Sequence, residues 1–236
     1  FDTNKPIRRD NDANLLEASQ EVRKRVTHTL ETEPQLAGSI LRLAFHDAVT
    51  LDGNVTNSGA NGSIRYELNW SENRGLQTPL TYIEELANDF QHQLSFADVL
   101  ALSGAAAVEA AHGPHIPIKL GRIDVNHEDV RILTQPMIKG GTGRSDVTTS
   151  LPSAGLDSVG LRIFFARLDL NEAEFVALMG AHDLGRHVTL TDMPRDCLRN
   201  LTRTCLENAP VSVPFVTADP DTFSNLYYKK LLQWND

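Results

Sequence analysis

Apolar residues recur at helical spacing over most of the chain, and polar or glycine-rich stretches separate these segments. The pattern predicts helices over residues 14–31, 35–50, 79–93, 95–112, 157–168, 171–186 and 222–234. Ser95 and Asn171 precede two of these helices and are expected to cap them. Loops or irregular segments are expected over 51–77, 125–153 and 187–220. The pattern therefore predicts a mostly α fold.

Composition restricts the kinds of protein that this chain can be. It has 236 residues, of which 41% are hydrophobic, which is enough for one globular unit with a sizeable core. The formal net charge is −9 and no basic cluster occurs, so nucleic acid is not an expected partner. No apolar run reaches the roughly 18 residues of a membrane-spanning helix, so none is predicted.

Arg42 and His46 lie one helical turn apart, so both side chains project from one face of the second predicted helix. A histidine can move a proton between the two oxygens of a peroxide, and an arginine can stabilise the negative charge that builds as their bond breaks. The pair therefore suits peroxide heterolysis. The alternative is a structural pair, because arginine and histidine at this spacing are common.

His182 follows an apolar helix and has the small residues Gly180, Ala181 and Gly185 around it. Small neighbours would let a bulky, flat group approach the imidazole, and a neutral imidazole is a common ligand of haem iron. The alternative is a core histidine whose ring nitrogens make hydrogen bonds within the protein.

Several segments, taken in order, resemble the plant, fungal and bacterial haem peroxidase superfamily. The matching segments are 41–48, 67–76, 94–104, 112–114, 121–124 and 181–185. The resemblance implies a two-lobed, mostly α peroxidase fold over 1–236, with haem between distal and proximal helices. The distal lobe would cover about 1–125 and the proximal lobe about 126–236.

The resemblance also assigns roles around the haem. Arg42 and His46 match the distal catalytic pair, and Asn73 matches the asparagine that orients the histidine. His182 matches the axial ligand of haem b, while Phe45 and Phe215 stand where relatives carry tryptophan. Without those tryptophans, a proximal tryptophan radical is excluded and cytochrome c is not an expected electron donor. H₂O₂ and an unidentified small reductant are the implied substrates.

Two cation sites, for Ca²⁺ or K⁺, are suggested by oxygen-bearing residues that align with the family's sites. The distal set is Asp47, Gly59, Asn61 and Ser63. The alternative there is a hydrogen-bonded turn without metal. The proximal set is Asp183, Thr217, Asp219, Thr222 and Ser224, where a hydroxyl replaces a carboxylate that the family uses.

Two cysteines, Cys197 and Cys205, are too few for the disulfides of the secreted branches of the superfamily. The resemblance is therefore to the class I branch, which includes ascorbate peroxidases and thylakoid-lumen ascorbate-peroxidase-like proteins. An organellar location, in plastid or mitochondrion, is favoured over secretion. The two cysteines could form one bridge or remain thiols.

Other departures from the family bear on activity. Pro34 or a neighbour stands where ascorbate peroxidases carry an ascorbate-binding lysine, so ascorbate is not the expected reductant. The chain reaches Asp236 without the family's segment bearing the aspartate that accepts the axial imidazole N–H, and so looks shortened at its C-terminus.

Two functional interpretations follow from these observations. One is an active haem peroxidase, supported by the presence of Arg42, His46 and His182. The other is a haem-free protein of the same fold that serves as a structural or binding subunit of a larger photosynthetic or respiratory assembly. The altered proximal residues and the absent ascorbate-binding residues support the second interpretation.

Overall fold

A computed structural model of the chain describes residues 8–49, 59–70, 73–126, 151–152, 156–166, 168–188, 212–214 and 219–233. For residues 8–12, 187–188 and 212–214, only the backbone is described. Phe215, Thr217, Cys197 and Cys205 lie outside the described residues, as does most of the irregular segment predicted over 125–153.

The described residues form seven α-helices, two short 3-10 helices and two short strands. The α-helices are α1 Arg8–Thr32, α2 Leu36–Ala48, α3 Gln77–Asp89, α4 Phe96–Ala110, α5 Ser158–Ala166, α6 Glu172–Met179 and α7 Leu226–Gln233. The 3-10 helices are Ser63–Tyr66 and Gly180–Asp183. Strands β1 Arg186–Val188 and β2 Ser212–Pro214 pair antiparallel, with Arg186 opposite Pro214. The mostly α fold is confirmed, and no described helix has the length and apolar character needed to cross a bilayer.

Both predicted N-caps are confirmed by local hydrogen bonds. The Ser95 hydroxyl accepts the backbone N–H of Asp98 at 3.0 Å, which satisfies a donor at the start of α4. Asn171 and Glu174 form a reciprocal capping box at α6, in which each side chain accepts the other residue's backbone N–H.

Helix α4 lies in the middle of the larger hydrophobic cluster and contacts α1, α2 and α3. Its buried residues include Val99, Leu100 and Leu102, because neighbouring helices cover it on several sides. A methyl group built on Gly104 would lie 2.7 Å from the Cβ of Ala44. The glycine therefore allows α2 to pack closely on α4 and fixes the helix that carries Arg42 and His46.

A second hydrophobic cluster joins the end of α2 to α5 and α6. Its buried members are Val49, Phe164, Phe165 and Phe175, and the rings of Phe165 and Phe175 stack with their centroids 5.4 Å apart. Met179, at the end of α6, packs against this cluster. The cluster therefore links the helix bearing His46 to the segment that leads to His182.

The helix predicted over 171–186 is too long, since α6 ends at Met179. A 3-10 helix follows, and Gly185 then adopts a φ of 96°, which favours glycine and turns the chain into β1. The backbone N–H of Gly185 donates to the Pro220 carbonyl at 2.8 Å. Hydrogen bonds to a distant segment therefore replace those that would have continued the helix.

Other predicted boundaries also differ from those observed. The first helix begins at Arg8 rather than residue 14. The last begins at Leu226 rather than residue 222, where the Ser224 hydroxyl accepts the Leu226 N–H at 3.1 Å. The 3-10 helix Ser63–Tyr66 interrupts the loop predicted over 51–77. Likewise, β2 lies within the loop predicted over 187–220.

Candidate active site

Helix α2 presents Arg42 and His46 from one face, one helical turn apart, as predicted. Ile40 and Leu43 on the same helix are fully buried in the larger cluster and anchor it. His46 is itself buried, whereas Arg42 is partly buried. The rigid helix therefore holds both side chains in a fixed relation to each other.

A buried hydrogen-bond chain orients the His46 imidazole. Its Nδ1 lies 2.7 Å from Oδ1 of Asn73, and Nδ2 of Asn73 donates to the Glu67 carbonyl at 2.9 Å. Since the amide nitrogen is used on Glu67, the amide oxygen faces the ring and can only accept. Nδ1 therefore carries the proton, and Nε2 of the neutral ring is the basic nitrogen.

Arg42 is held by the same stretch of chain. Its Nη1 donates to the Arg74 carbonyl at 2.9 Å, next to the residue that orients His46. Burial lowers the pKa of Arg42, but an arginine remains protonated at physiological pH. A partly desolvated cation beside a neutral imidazole is suited to stabilising an oxyanion, because charge interactions strengthen as water is excluded.

His182 lies in the 3-10 helix Gly180–Asp183, which contacts α2. Its side chain is exposed, yet neighbouring groups desolvate the ring and lower its pKa, while a hydrogen bond to the Met179 backbone raises it. The lowered pKa favours the neutral imidazole, which is the form that binds a metal. The ring is therefore both accessible and in the right protonation state to be an axial ligand.

The helix bearing the Arg42–His46 pair meets the His182 segment at two glycines. A methyl group built on Gly38 would lie 2.6 Å from the Cα of Gly185. Contact between backbones at this point sets the distance between α2 and the chain that follows His182.

Phe45 contacts both the neighbouring His46 ring and the second hydrophobic cluster. Its ring packs edge-on against the His46 ring, with centroids 6.1 Å apart, and it also packs against the second hydrophobic cluster. Its role beside a bound planar group stays a prediction. Phe215, predicted on the proximal side, lies outside the described residues.

The distal cation residues come together in a turn that hydrogen bonds already hold. The Asp47 carboxylate accepts the backbone N–H groups of Gly62 and Ile64 at 3.0 and 3.2 Å, and Asn61 Oδ1 accepts the N–H of Ser63 at 3.0 Å. Burial raises the pKa of Asp47 to about 6, although these hydrogen bonds and Arg65 act in the opposite direction.

The turn nonetheless offers one unused oxygen donor to a cation. Among the described residues, the buried Ser63 hydroxyl has no hydrogen-bond partner, and Gly59 is buried next to the same turn. A cation bound to the Asp47 carboxylate would also stabilise its ionised form. The described residues include no group of three or more His, Cys, Asp or Glu side chains suited to a metal, so oxygen donors of other kinds would have to complete the shell.

On the proximal side, the predicted cation ligands make hydrogen bonds to backbone groups. Asp183 is buried and accepts the N–H groups of Ser224 and Tyr227, the latter at 2.9 Å. Asp219 accepts the N–H of Asp221 at 3.3 Å. Thr222 lies in the connection between these residues and α7, and Thr217 lies outside the described residues.

Sequence reasoning missed three groups at the site. The carbonyls of Glu67 and Arg74 anchor Asn73 and Arg42, but a backbone carbonyl leaves no sequence signal because every residue has one. The third is Tyr227, whose ring lies 5.6 Å from that of His182, centroid to centroid. Its contact depends on where α7 docks, which local sequence does not specify.

Comparisons with known proteins identify the family of this chain. A protein-family profile described as peroxidase matches residues 22–235. A relative named L-ascorbate peroxidase 5, peroxisomal, from Arabidopsis thaliana is 32% identical over 94% of this chain and 67% of its own length. L-ascorbate peroxidase 2, cytosolic, from the same plant is 33% identical over 89% of this chain and 70% of its own length. L-ascorbate peroxidase T, chloroplastic, also from Arabidopsis thaliana, is 39% identical over 62% of this chain and 33% of its own length.

Proposed function

Because this chain belongs to the peroxidase family, with ascorbate peroxidases among its relatives, we propose that it is a haem-dependent peroxidase. It reduces H₂O₂ to water while a small reductant gives up electrons one at a time. The observation that carries the proposal is the orientation of His46 by Asn73, with Nδ1 and Oδ1 2.7 Å apart. A buried histidine with a fixed tautomer, beside an arginine, is the arrangement that proton transfer within a peroxide requires.

The residues divide the reaction between them. His46 Nε2 takes the proton from one peroxide oxygen and returns it to the other, which leaves as water. The Arg42 guanidinium stabilises the negative charge that develops on the departing oxygen. His182 would hold the iron of haem b, and Phe45 would pack against the bound group. Phe215, which lies outside the described residues, is assigned to the haem site by the family resemblance alone. When bound, haem b supplies the iron that receives the peroxide and provides the electrons for breaking its O–O bond.

Titration of the purified protein with hemin, followed by visible absorption, tests the proposal. A Soret band of a histidine-ligated iron should appear in the unmodified protein, and His182→Ala should lose or shift it. His92→Leu, an exposed histidine on the surface, is the matched control and should behave as the unmodified protein. If the unmodified protein stays without a Soret band, the peroxidase proposal fails and the alternative of a haem-free subunit in a larger assembly takes its place.

The identity of the reductant is a separate proposal. The relatives named above are ascorbate peroxidases, but Pro34 or a neighbour stands where an ascorbate-binding lysine is expected from the family resemblance. We therefore propose a small reductant other than ascorbate. Turnover of the hemin-loaded protein with a simple phenol but not with ascorbate would support this, and the reverse preference would contradict it.

A Ca²⁺ or K⁺ ion at the distal turn is the cation proposal with most support, since Asp47, Asn61 and Ser63 converge there and the Ser63 hydroxyl lacks a partner among described residues. Calorimetric titration with each ion should show binding that Asp47→Asn abolishes. No heat of binding would mean that the turn is held by hydrogen bonds alone. The proximal cation stays a prediction, and the hydrogen bonds on Asp183 favour a cation-free arrangement there.

We also propose an organellar location and a single peroxidase domain made of a distal and a proximal lobe. Relatives named peroxisomal and chloroplastic support the location. A relative named cytosolic has a similar sequence identity to this chain. Microscopy of the tagged full-length protein in its own cells would test it, and a purely cytosolic signal would contradict it. Limited proteolysis tests the single domain, because a lobe released in folded form would contradict it.

A further inference from the structure

The chain on either side of His182 is fastened to one distant segment, residues 219–233. Asp183 follows His182 directly, and its buried carboxylate accepts the backbone N–H groups of Ser224 and Tyr227. Beyond it, Gly185 donates to the Pro220 carbonyl at 2.8 Å. Hydrogen bonds to residues 219–233 therefore hold the chain immediately after His182.

The Asp183 carboxylate acts at the start of α7. Tyr227 is the second residue of that helix, where backbone N–H groups lack partners within the helix, and Ser224 lies two residues before its start. A carboxylate is favourable at a helix N-terminus because it accepts these N–H groups and opposes the positive end of the helix dipole. The same contact therefore orients α7 relative to the 3-10 helix Gly180–Asp183.

Docking of α7 places two aromatic rings on the 3-10 helix. The Tyr227 ring lies 5.6 Å from the His182 ring and is tilted 44° to it. The Tyr228 hydroxyl donates to the Val176 carbonyl at 2.6 Å, and a methyl group built on Gly180 would lie 2.5 Å from that hydroxyl. The glycine therefore lets Tyr228 close over the start of the 3-10 helix, while Tyr227 supports the imidazole.

We propose that Asp183 is a positioning residue for His182, whose carboxylate fastens the 3-10 helix to α7 and so brings the Tyr227 ring against the imidazole. We call the hydrogen bonds from the Ser224 and Tyr227 N–H groups to Asp183 the clasp. The functional importance of the clasp rests on the proposed role of His182 as iron ligand. The clasp itself is a property of the haem-free chain. It holds the proximal segment through direct hydrogen bonds to a carboxylate of the chain, without a cation between the two segments.

The first test uses haem-free protein and compares Asp183→Asn with the unmodified chain. Hydrogen exchange across 180–185 should become faster by about tenfold or more, because hydrogen bonds to a charged group contribute on that scale. The NMR signals of the His182 ring protons should shift, since the imidazole leaves the face of Tyr227. Asp157→Asn is the matched control, because Asp157 accepts the Gly160 N–H at 2.8 Å at the start of α5 and does not touch this segment.

A second variant separates the ring contact from the clasp and does not disturb the carboxylate. Tyr227→Leu keeps the backbone N–H that Asp183 accepts, so it should shift the His182 ring signals while exchange across 180–185 stays as in the unmodified protein. Unchanged exchange and unchanged His182 signals in Asp183→Asn would overturn the proposal. Slower exchange across 180–185 on adding K⁺ or Ca²⁺ to the unmodified protein would also overturn it, because a cation would then be holding the segment.

Hemin loading then connects the clasp to the proposed function. In Asp183→Asn, hemin should dissociate about tenfold faster than in the unmodified protein or in Asp157→Asn, the scale seen when the support of a metal ligand is removed. Equal dissociation rates would overturn the positioning role. Failure of the unmodified protein to bind hemin would refute the peroxidase proposal, and the exchange and NMR results would still decide whether the clasp exists.

Discussion

At the scale of single residues, the site depends on how backbone carbonyls and amides hold the side chains that are proposed to do the chemistry. Residues 73–74 bind both side chains. The Asn73 amide contacts His46, and the Arg74 carbonyl accepts a hydrogen bond from Arg42. A shift of that stretch would therefore move together the two groups proposed to transfer the proton and to stabilise the oxyanion. The pairing explains why two long-separated sequence segments act as one site.

Replacing His46 by leucine should remove the base and leave the iron ligand in place. Reaction of the hemin-loaded protein with H₂O₂, measured by stopped-flow absorption, is expected to slow by about 10²- to 10⁴-fold. The Soret band before peroxide addition should keep its intensity. His92→Leu is the control, and a His46→Leu protein that reacts at the unmodified rate would refute the assignment.

Asp47 should make stability depend on pH in a defined direction. Its pKa is raised to about 6 from 3.8, so the folded protein holds a proton at pH values where the unfolded chain has lost it. This contribution is full below about pH 4 and disappears as pH rises through about 6. Without added Ca²⁺ or K⁺, the free energy of unfolding of the unmodified protein, relative to Asp47→Asn, should therefore fall by about 2 kcal/mol from pH 4 to pH 7.

Urea unfolding of the two proteins across this pH range is the measurement. The variant loses one hydrogen-bond acceptor at every pH, which lowers its free energy of unfolding by a constant amount. The test is therefore how the difference between the two proteins changes with pH. Parallel curves would show that Asp47 does not titrate in this range.

At the scale of elements, features that depend on residues close in sequence can be predicted from the sequence. Features that depend on contacts with distant segments cannot. Ser95 and Asn171 were predicted as caps because a cap and its N–H partner lie three residues apart. The spacing of Arg42 and His46 likewise follows from the helix period. The end of α6 at Met179 could not be predicted, because it depends on contacts of Gly180 and Asp183 with α7, which lies far along the chain.

Substitution of two helical glycines by alanine should have different effects on the free energy of unfolding. Gly38→Ala places a methyl group 2.6 Å from the Gly185 Cα, and two backbones cannot separate without moving α2. We expect a loss of about 1–3 kcal/mol in the free energy of unfolding and weaker hemin binding. In Gly160→Ala the new methyl group meets the end of the flexible Leu156 side chain at 2.9 Å, so the helical preference of alanine should leave stability unchanged or slightly higher.

Denaturant unfolding of both glycine variants, with hemin titration of each, provides the comparison. Equal effects of the two substitutions would contradict the view that contact between α2 and Gly185 sets the geometry of the site.

At the scale of the whole molecule, two hydrophobic clusters hold the two parts of the site. The larger cluster fixes α2 through Ile40 and Leu43, and the smaller one joins Phe45 and Met179 around the stacked rings of α5 and α6. Phe45 is adjacent to His46, and Met179 lies one helical turn before His182. The side chains that pack between the clusters are therefore close in sequence to the residues assigned to catalysis and iron binding.

The central claim is that the Arg42–His46 pair and His182 act on one bound haem. The measurement that tests it most directly is the absorption spectrum of the hemin-loaded protein before and after one equivalent of H₂O₂, followed by a small phenol. The account predicts a Soret band that shifts rapidly with peroxide and returns to its first position as the reductant is oxidised. A Soret band that does not respond to peroxide, or no band after hemin addition, would contradict it.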